Sequence, residues 1–358
     1  MEKQSKTRKF NSLRLQYKKQ EEKALHFFSD FNRNFTRLYN AEVELTRILG
    51  GIGKDIKVTP NLNIKYGSNT FLEDNVHINI RTYIDDSAPV YFGKRVLTGP
   101  YLKILTTIKE EKGIVQAKGI NIEKDVWIGG GVVVKPGVTI GEGSIIAAGS
   151  VVETDIPVNS VVVGNPIRII KKINNIEDVP YKFPEGKVGK DRMLAGEIFY
   201  TSDSELMKAK QKAYLFFNNL NKNFNFLNKA ELILTEILGK VGKNIKLFTP
   251  FYFSFGFQIE IGDNVEIGKG IFLGDAGKIK IGNNVVLESE VQIYTTNHLL
   301  NITDRAYIST KDVIIEDGVR IGKGVIIIPG IKIGKGAIIE EGNIVIHDVL
   351  PYTHIIKR

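Results

Sequence analysis

Large aliphatic residues recur at every sixth position over long stretches of this sequence. Two series define the pattern: Ile122, Ile128, Val134, Ile140, Ile146 and Val152, and then Ile315, Ile321, Ile327, Ile333, Ile339 and Val345. A period of six fits neither the 3.6 residues of a helical turn nor the two-residue alternation of a strand. It fits a prism in which each hexapeptide forms one flat side and points one aliphatic side chain inward, with successive coils stacked at the spacing between strands, about 4.8 Å.

The chain is also a tandem duplication. The segment ILGGIGKDIKVTP at Ile48 returns as ILGKVGKNIKLFTP at Ile237, and FFSDFNRNF at Phe27 returns as FFNNLNKNF at Phe216. The same displacement along the chain relates both pairs of segments, and a length of 358 residues suits two domains. We therefore predict a mainly β fold of two tandem parallel β-helix prisms, each preceded by a short α-helical segment.

The helical segments follow from apolar residues spaced three and four apart. This spacing predicts helices over residues 21–32 and 42–49 in the first copy, and over 204–220 and 229–238 in the second. The predicted organisation has helical caps at 1–50 and 193–242 and β-helices at 51–173 and 243–358. A linker rich in proline, glycine and charge is predicted at 174–192.

Composition restricts the classes of function. The chain is 42% hydrophobic and 25% charged, which is typical of soluble globular proteins, and no apolar run approaches the roughly 18 residues of a spanning helix. The absence of cysteine excludes disulfides and acyl-cysteine intermediates. The net charge of +9 is spread over scattered lysines without interleaved aromatic residues. We expect a cytoplasmic protein that neither inserts into membranes nor binds nucleic acid.

Several motifs resemble the maltose and galactoside O-acetyltransferases of the hexapeptide-repeat superfamily. RMLAGEIFYTSDSEL at Arg192 resembles the family's N-terminal cap, and YTTNH at Tyr294 resembles the loop that carries its catalytic histidine. VWIGGGVVVKPGVTIGEGSIIAAGSVV at Val126 and DIPVNSVVVGNPIRIIKK at Asp155 resemble its final coils and its segment that binds coenzyme A (CoA). The resemblance implies left-handed prisms, acetyl-CoA as co-substrate and a homotrimer.

His298 is the candidate general base. Transfer of an acetyl group from a thioester to a hydroxyl requires a group that takes the hydroxyl proton, and neutral histidine suits this near pH 7. His298 lies in a long excursion between Ile293 and Ile315, where the pattern expects a single hexapeptide step. The alternative is a surface histidine without a role. The resemblance further implies that Ser254, Tyr294 and Asn297 bind the acceptor.

The CoA-binding residues implied by the resemblance lie mostly in the first copy: Trp127, Gly129, Gly130, Ala147, Ala148, Arg168 and Lys171. Small residues allow a pantetheine arm to approach the backbone and cations pair with phosphates, although tight coils also require small residues. The second copy has Arg320, Lys323 and Glu341 in place of Trp127, Gly130 and Ala148, and Lys323 could contact CoA there.

The predicted function is CoA-dependent O-acetylation of a sugar or glycan precursor, with His298 as general base. The first copy has Lys109 at the histidine position and is expected to be inactive by itself. The alternative is a catalytically decayed scaffold or regulatory partner. A metal is not expected, because the closely spaced histidine cluster of the γ-type carbonic anhydrases, which share the prism fold, is absent.

Overall fold

The computed structural model describes residues 2–34, 41–111, 114–173, 189–201, 203–298 and 307–356. The chain divides into two compact units, residues 1–175 and 176–358, and each contains one copy of the repeat. Each unit is a parallel β-helix that follows helical segments. The predicted mainly β fold of two tandem prisms is confirmed.

The described residues contain five helices: α1 (Glu2–Asn34), α2 (Glu42–Leu45), α3 (Gly189–Leu194), α4 (Ser204–Asn223) and α5 (Glu231–Leu234). The first helix is far longer than the predicted 21–32, because no glycine or proline interrupts residues 2–34. The predicted helices at 42–49 and 229–238 shorten to α2 and α5. After one turn the backbone tightens to bonds of the i to i−3 type, such as Ile48 N–H to Leu45 O and Ile237 N–H to Leu234 O.

The structure describes only the last part of the predicted linker, residues 189–192. Residues 174–188 lie outside the described residues. The remaining part of the predicted linker belongs to α3, which includes Gly189.

In chain order, the strands of the first unit are β1 (Gly51–Ile52), β2 (Lys57–Val58), β3 (Asn63–Ile64), β4 (Thr70–Leu72), β5 (His77–Ile78), β6 (Tyr83–Asp85), β7 (Val90–Phe92), β8 (Leu97–Thr98), β9 (Lys103–Leu105), β10 (Thr107–Glu111), β11 (Ile114–Ala117), β12 (Ile120–Ile122), β13 (Trp127–Ile128), β14 (Val133–Val134), β15 (Thr139–Ile140), β16 (Ile145–Ile146), β17 (Val151–Val152), β18 (Ser160–Val163) and β19 (Arg168–Lys172).

Those of the second unit are β20 (Phe199–Tyr200), β21 (Phe226–Asn228), β22 (Lys240–Val241), β23 (Lys246–Phe248), β24 (Phe251–Phe253), β25 (Ile259–Ile261), β26 (Glu266–Ile267), β27 (Ile271–Gly274), β28 (Ile279–Ile281), β29 (Val286–Leu287), β30 (Gln292–Tyr294), β31 (Thr296–His298), β32 (Tyr307–Thr310), β33 (Val313–Ile315), β34 (Arg320–Ile321), β35 (Ile326–Ile327), β36 (Lys332–Ile333), β37 (Ile338–Ile339), β38 (Ile344–Val345) and β39 (His354–Ile355).

Three sheets form the sides of each prism. Their orders in the first unit are β1-β4-β7-β12-β15, β2-β5-β8-β13-β16-β18-β19 and β3-β6-β9-β14-β17. In the second unit they are β22-β25-β28-β33-β36, β21-β23-β26-β29-β34-β37-β39 and β24-β27-β30-β35-β38. The pairing is parallel except for the terminal strands β19 and β21. Ile128 pairs with Ile146, three hexapeptides further along the chain, so three hexapeptides complete one coil.

The periodic aliphatic residues fill the interior of the prisms, as predicted. All twelve residues of the two long series are at most 5% exposed. Burial of each such side chain contributes about 1.5–3 kcal/mol to folding. The pattern of six therefore encodes the core directly, because each inward position in one coil stacks on the same position in the next.

Two excursions leave the prisms at equivalent coils. In the first unit β10 and β11 form an antiparallel hairpin. In the second unit the equivalent excursion contains β31 and β32, and β20 from the cap adds a third antiparallel strand beside β32. None of the helices in the described ranges is both long and apolar enough to cross a membrane.

Candidate active site

Three successive coils of the second unit leave the same sheet at one corner of the prism. The corner segments begin at Ser254, which follows β24, and at Gly274 and Tyr294, which end β27 and β30. Gly274 pairs with Tyr294, and the backbone N–H of Ser254 donates to the carbonyl of Leu273 at 3.1 Å. We call residues 254–257, 274–277 and 294–295 the acceptor corner. Ser254 is half-buried, whereas residues 274–277 and 294–295 are buried.

Asp275 is a fully buried residue of this corner. Its carboxylate accepts hydrogen bonds from the backbone N–H groups of Ser254, Phe255 and Gly256 at 2.9, 2.8 and 2.7 Å. Burial raises the pKa of Asp275 to about 7, and these three backbone donors partly offset the effect of burial. One side chain thus joins two coils and determines the conformation of the turn that carries Ser254.

Thr295 anchors the hairpin that leaves the corner. Its fully buried hydroxyl donates to the Gly274 carbonyl at 2.6 Å and accepts from the Gly277 N–H at 2.7 Å. The Thr295 carbonyl accepts from the Lys311 N–H at 2.9 Å, which closes the root of the hairpin. These bonds of Thr295 therefore attach the start of β31, the strand that carries His298, to the wall of the prism.

His298 ends the strand that begins at this root and is half-buried. It pairs directly with Ile308, which pairs directly with Phe199 on β20. Directly opposed residues of antiparallel strands project to the same face, so these three side chains share one face. Ile308 and Phe199 are packed with Ala276, Phe255 and Phe257 of the acceptor corner. The face that carries the imidazole is consequently the face turned toward the corner.

The other predicted acceptor residues have different surroundings. Tyr294 is 6% exposed, its hydroxyl donates to Gln292 Oε1 at 2.6 Å, and its ring contacts that of Phe272. Asn297 pairs with Ser309 and, since side chains alternate along a strand, projects to the face opposite His298. The structure thus directs His298 to the face of the hairpin that packs on the acceptor corner and Asn297 to the opposite face.

The same corner of the first unit is filled by an ion pair. Lys65, Asp85 and Ser87 occupy the positions of Ser254, Gly274 and Ala276. The Lys65 ammonium donates to Ser87 Oγ at 3.2 Å and lies 4.0 Å from Asp85 Oδ1, to which Ser87 Oγ donates at 2.6 Å. Burial acts to raise the pKa of Asp85, but hydrogen bonds from Ser87 and Thr107 and the charge of Lys65 lower it overall. Lys109 stands at the position of His298.

The predicted CoA residues of the first unit lie together on its last coils. Trp127 pairs with Ile145, Ile145 with Val161, and Val161 with Lys171, so an outward column runs from the indole to a lysine on β19. Arg168 begins the same exposed strand.

The small residues beside this column have a packing explanation. A Cβ added to Gly129 would lie 2.5 Å from the Ala148 backbone nitrogen, and the Gly130 carbonyl accepts from the Gly149 N–H at 2.8 Å. Coil stacking by itself therefore requires glycine at position 129. Ala147 and Ala148 are half-buried on the neighbouring coil. Lys323 of the second unit is exposed, with its backbone N–H bonded to Glu288 Oε2 at 3.1 Å.

Sequence reasoning missed the supporting residues Asp275, Thr295 and Ile308. A signal for two of them exists, since Asp86 and Thr106 stand at the positions of Asp275 and Thr295 in the first copy of the duplication. Polar residues retained in both copies within an apolar pattern are candidates for buried hydrogen bonding. No group of three or more histidine, aspartate or glutamate side chains in the described part of the chain is arranged to hold a metal ion.

Three family models match the sequence. Residues 119–154 match the bacterial transferase hexapeptide (six repeats), residues 192–242 the maltose acetyltransferase hexapeptide capping motif, and residues 312–346 the hexapeptide repeat of succinyl-transferase. The capping match covers the end of α3, β20, α4 and α5, and β20 is the strand that pairs with the hairpin of the second unit.

Individual relatives match about one copy of the duplication. A putative acetyltransferase of Saccharomyces cerevisiae is 37% identical over 44% of this chain and 83% of its own length. The galactoside O-acetyltransferase of Escherichia coli is 36% identical over 45% of this chain and 81% of its own length. A crystal structure described as galactoside acetyltransferase in complex with coenzyme A is 32% identical, covers 48% of this chain and 89% of that chain, and has a TM-score of 0.42.

Proposed function

Since the chain belongs to the hexapeptide-repeat acetyltransferase family, we propose that its second unit transfers an acetyl group from acetyl-CoA to a hydroxyl of a sugar or glycan precursor. His298 is the general base. The observation that carries this proposal is that His298 shares a face with Ile308 and Phe199, whose side chains pack against the acceptor corner. A hydroxyl bound at that corner would lie beside the imidazole.

The chemistry needs no covalent intermediate on the enzyme. The His298 imidazole takes the proton of the acceptor hydroxyl while the oxygen forms a bond to the thioester carbonyl carbon. The resulting tetrahedral intermediate collapses with cleavage of the carbon–sulfur bond. The protonated His298 gives this proton to the CoA thiolate, which restores the neutral imidazole, and the acceptor leaves as its acetyl ester. A chain without cysteine is compatible with this direct transfer.

The difference between the two corners supports assigning catalysis to the second unit. The second unit has the uncharged residues Ser254, Gly274 and Ala276 at this corner, of which Ser254 is half-buried, whereas the first unit has the ion pair of Lys65 and Asp85 at the same positions. An acceptor would have to displace that pair, of which both side chains are largely buried. The first unit also lacks the histidine.

The binding of acetyl-CoA is part of the proposal. Transfer at His298 requires acetyl-CoA bound on the second unit. On the first unit, Trp127, Lys171 and Arg168 offer an aromatic side chain and cations for the phosphates of CoA, and this surface is proposed as a CoA site of that unit by itself. Lys323 offers a cation on the second unit. The homotrimer implied by the resemblance also remains a proposal, which the mass of the protein in solution would test.

The test is turnover of acetyl-CoA, measured as acceptor-dependent thiol release with a panel of sugars. His298→Ala should lower kcat by about 100-fold or more, because general base catalysis contributes at least that factor. The matched control is Lys109→Ala, which changes the equivalent position of the first unit and should leave kcat unchanged. Unchanged turnover in His298→Ala would refute the assignment of the base and favour a scaffold role.

A further inference from the structure

We infer that Phe199 and Ile308 are positioning residues for His298: the cap strand β20 holds the strand that carries the histidine in its working place. The inference rests on the proposed function, because it concerns the base of that reaction. It concerns residues that touch neither acetyl-CoA nor the acceptor in the mechanism above.

The first observation is the register of the three-stranded sheet. Phe199, Ile308 and His298 form one continuous rung across β20, β32 and β31. β32 is the central strand, so it transmits the position of the cap strand to the strand with the imidazole. Tyr200 and Tyr307 form the next rung, and their ring centroids lie 5.1 Å apart.

The second observation is how firmly the rung is packed. Phe199 is fully buried and Ile308 is 5% exposed, and both belong to a small core with Met193, Leu206 and Ala276. This core is separate from the interior of the prism. It joins α3, β20 and the start of α4 to the hairpin on one side and to the acceptor corner on the other.

Contacts of Arg192 also restrain the cap strand β20. The buried Arg192 donates from Nε to the carbonyl of Ile198 at 2.8 Å and forms an ion pair with Glu197 at 3.5 Å. These bonds fix the turn between α3 and β20. The backbone that presents Phe199 to Ile308 therefore has little freedom to shift.

The third observation is the contrast with the first unit. Its hairpin of β10 and β11 has no third strand in the described residues, and the equivalent stretch, residues 10–11, lies within α1. The hairpin that lost the histidine is also the hairpin without the added strand. A structural cap would be equally useful to both units, whereas a positioning strand is needed only where a base must be held.

Positioning of this kind has a measurable effect on rate. A base acts only when it lies within hydrogen-bond reach of the proton it removes, and a displacement of about 1 Å can cost about 100-fold. Truncation of Phe199 or Ile308 leaves a cavity behind the rung and lets β32 and His298 shift together.

The experiment compares truncations inside and outside the rung in the full chain. Phe199→Ala and Ile308→Ala should each lower kcat about tenfold or more, with KM for acetyl-CoA changed less than about twofold. Ile308→Val and Phe199→Leu should restore most of kcat. The control is Phe217→Ala, which removes a similarly buried aromatic of α4 that packs on Tyr252 and Phe253, away from the hairpin. It should lose stability and keep kcat.

A second measurement does not depend on activity. The chain has five histidines, so the resonances of ¹³C-labelled imidazoles are few, and the signal of His298 is identified by its loss in His298→Ala. This signal should move in Phe199→Ala and stay in place in Phe217→Ala. An unmoved signal, or equal kcat in Phe199→Ala and Phe217→Ala, overturns the inference. Failure of the proposed function would appear separately, as wild-type protein without turnover.

Discussion

Gly277 and Thr295 are joined by a hydrogen bond of 2.7 Å from the glycine N–H to the threonine hydroxyl at the root of the hairpin that carries His298. The equivalent bond of the first unit, from Ala88 to Thr106, is 3.1 Å long. Glycine at position 277 allows this short hydrogen bond, because an added Cβ would lie 3.0 Å from Thr310 Cβ and 3.2 Å from Thr295 Cβ. The hydrogen bond at the root of the hairpin is therefore shorter in the second unit, which carries His298, than in the first unit.

We predict that Gly277→Ala, which introduces the residue of the first unit, lowers kcat about tenfold by pushing both strands of the hairpin root outward. The thermal midpoint should also fall, since Gly277 and Thr295 are buried and the added Cβ crowds both Thr310 and Thr295. Steady-state kinetics on the purified variant measures the effect. Ala88→Gly is the matched control and should leave kcat unchanged; equal kcat in wild type and Gly277→Ala would contradict the prediction.

We predict that Asp275→Asn destabilises the second unit. Asparagine offers one acceptor oxygen and an amide group to three backbone donors, and each donor left unsatisfied in a buried site costs about 1–3 kcal/mol. Urea unfolding followed by circular dichroism measures the loss. Trp127 is the only tryptophan and lies in the first unit, so its fluorescence transition should not move.

The loss of unfolding free energy in Asp275→Asn should become smaller as pH rises. Burial raises the folded-state pKa of Asp275 to about 7 from 3.8, so its contribution to the free energy of unfolding is fully present below about pH 4 and is lost as pH rises through 7. Asparagine has no such dependence. The difference in stability between wild type and Asp275→Asn should therefore be smaller at pH 8 than at pH 5, and a difference that grows with pH would contradict this.

We predict that Arg95→Ala destabilises the first unit by about 1–3 kcal/mol. The Arg95 guanidinium donates to both oxygens of Asp125, at 2.7 and 2.6 Å, and the Asp125 side chain is only 5% exposed. Loss of the arginine leaves a buried carboxylate without this partner. Trp127, which follows Asp125 closely in the chain, reports the transition by fluorescence.

The neighbouring Lys94 provides the control for this prediction. It pairs with Asp74 at 3.4 Å, and both side chains are largely exposed, 53% and 41%. Exposed pairs contribute little, so Lys94→Ala should lower the free energy of unfolding much less than Arg95→Ala does. Equal losses in Lys94→Ala and Arg95→Ala would show that burial of Asp125 is not the cause.

The helical parts were the least predictable from sequence. Residues 2–20 are mostly polar and charged, which hid the start of α1, and the ends of α2 and α5 depend on a tightened last turn that leads into the first coil. Helix ends respond to what they pack against, and such contacts are not encoded in local spacing. The position of His298 after a coil was readable, whereas its neighbours Ile308 and Phe199 come from segments far apart in the chain.

The sequence by itself determined the two prisms, their duplication and their inward columns, because a period of six acts locally and repeats in every coil. It also identified His298 as the candidate base. Only the tertiary structure decided that β20 joins the hairpin, that Asp275 is buried within the acceptor corner, and that Lys65 and Asp85 form an ion pair at the same corner of the first unit. These features depend on long-range pairing and burial, which bring together residues that no local pattern connects.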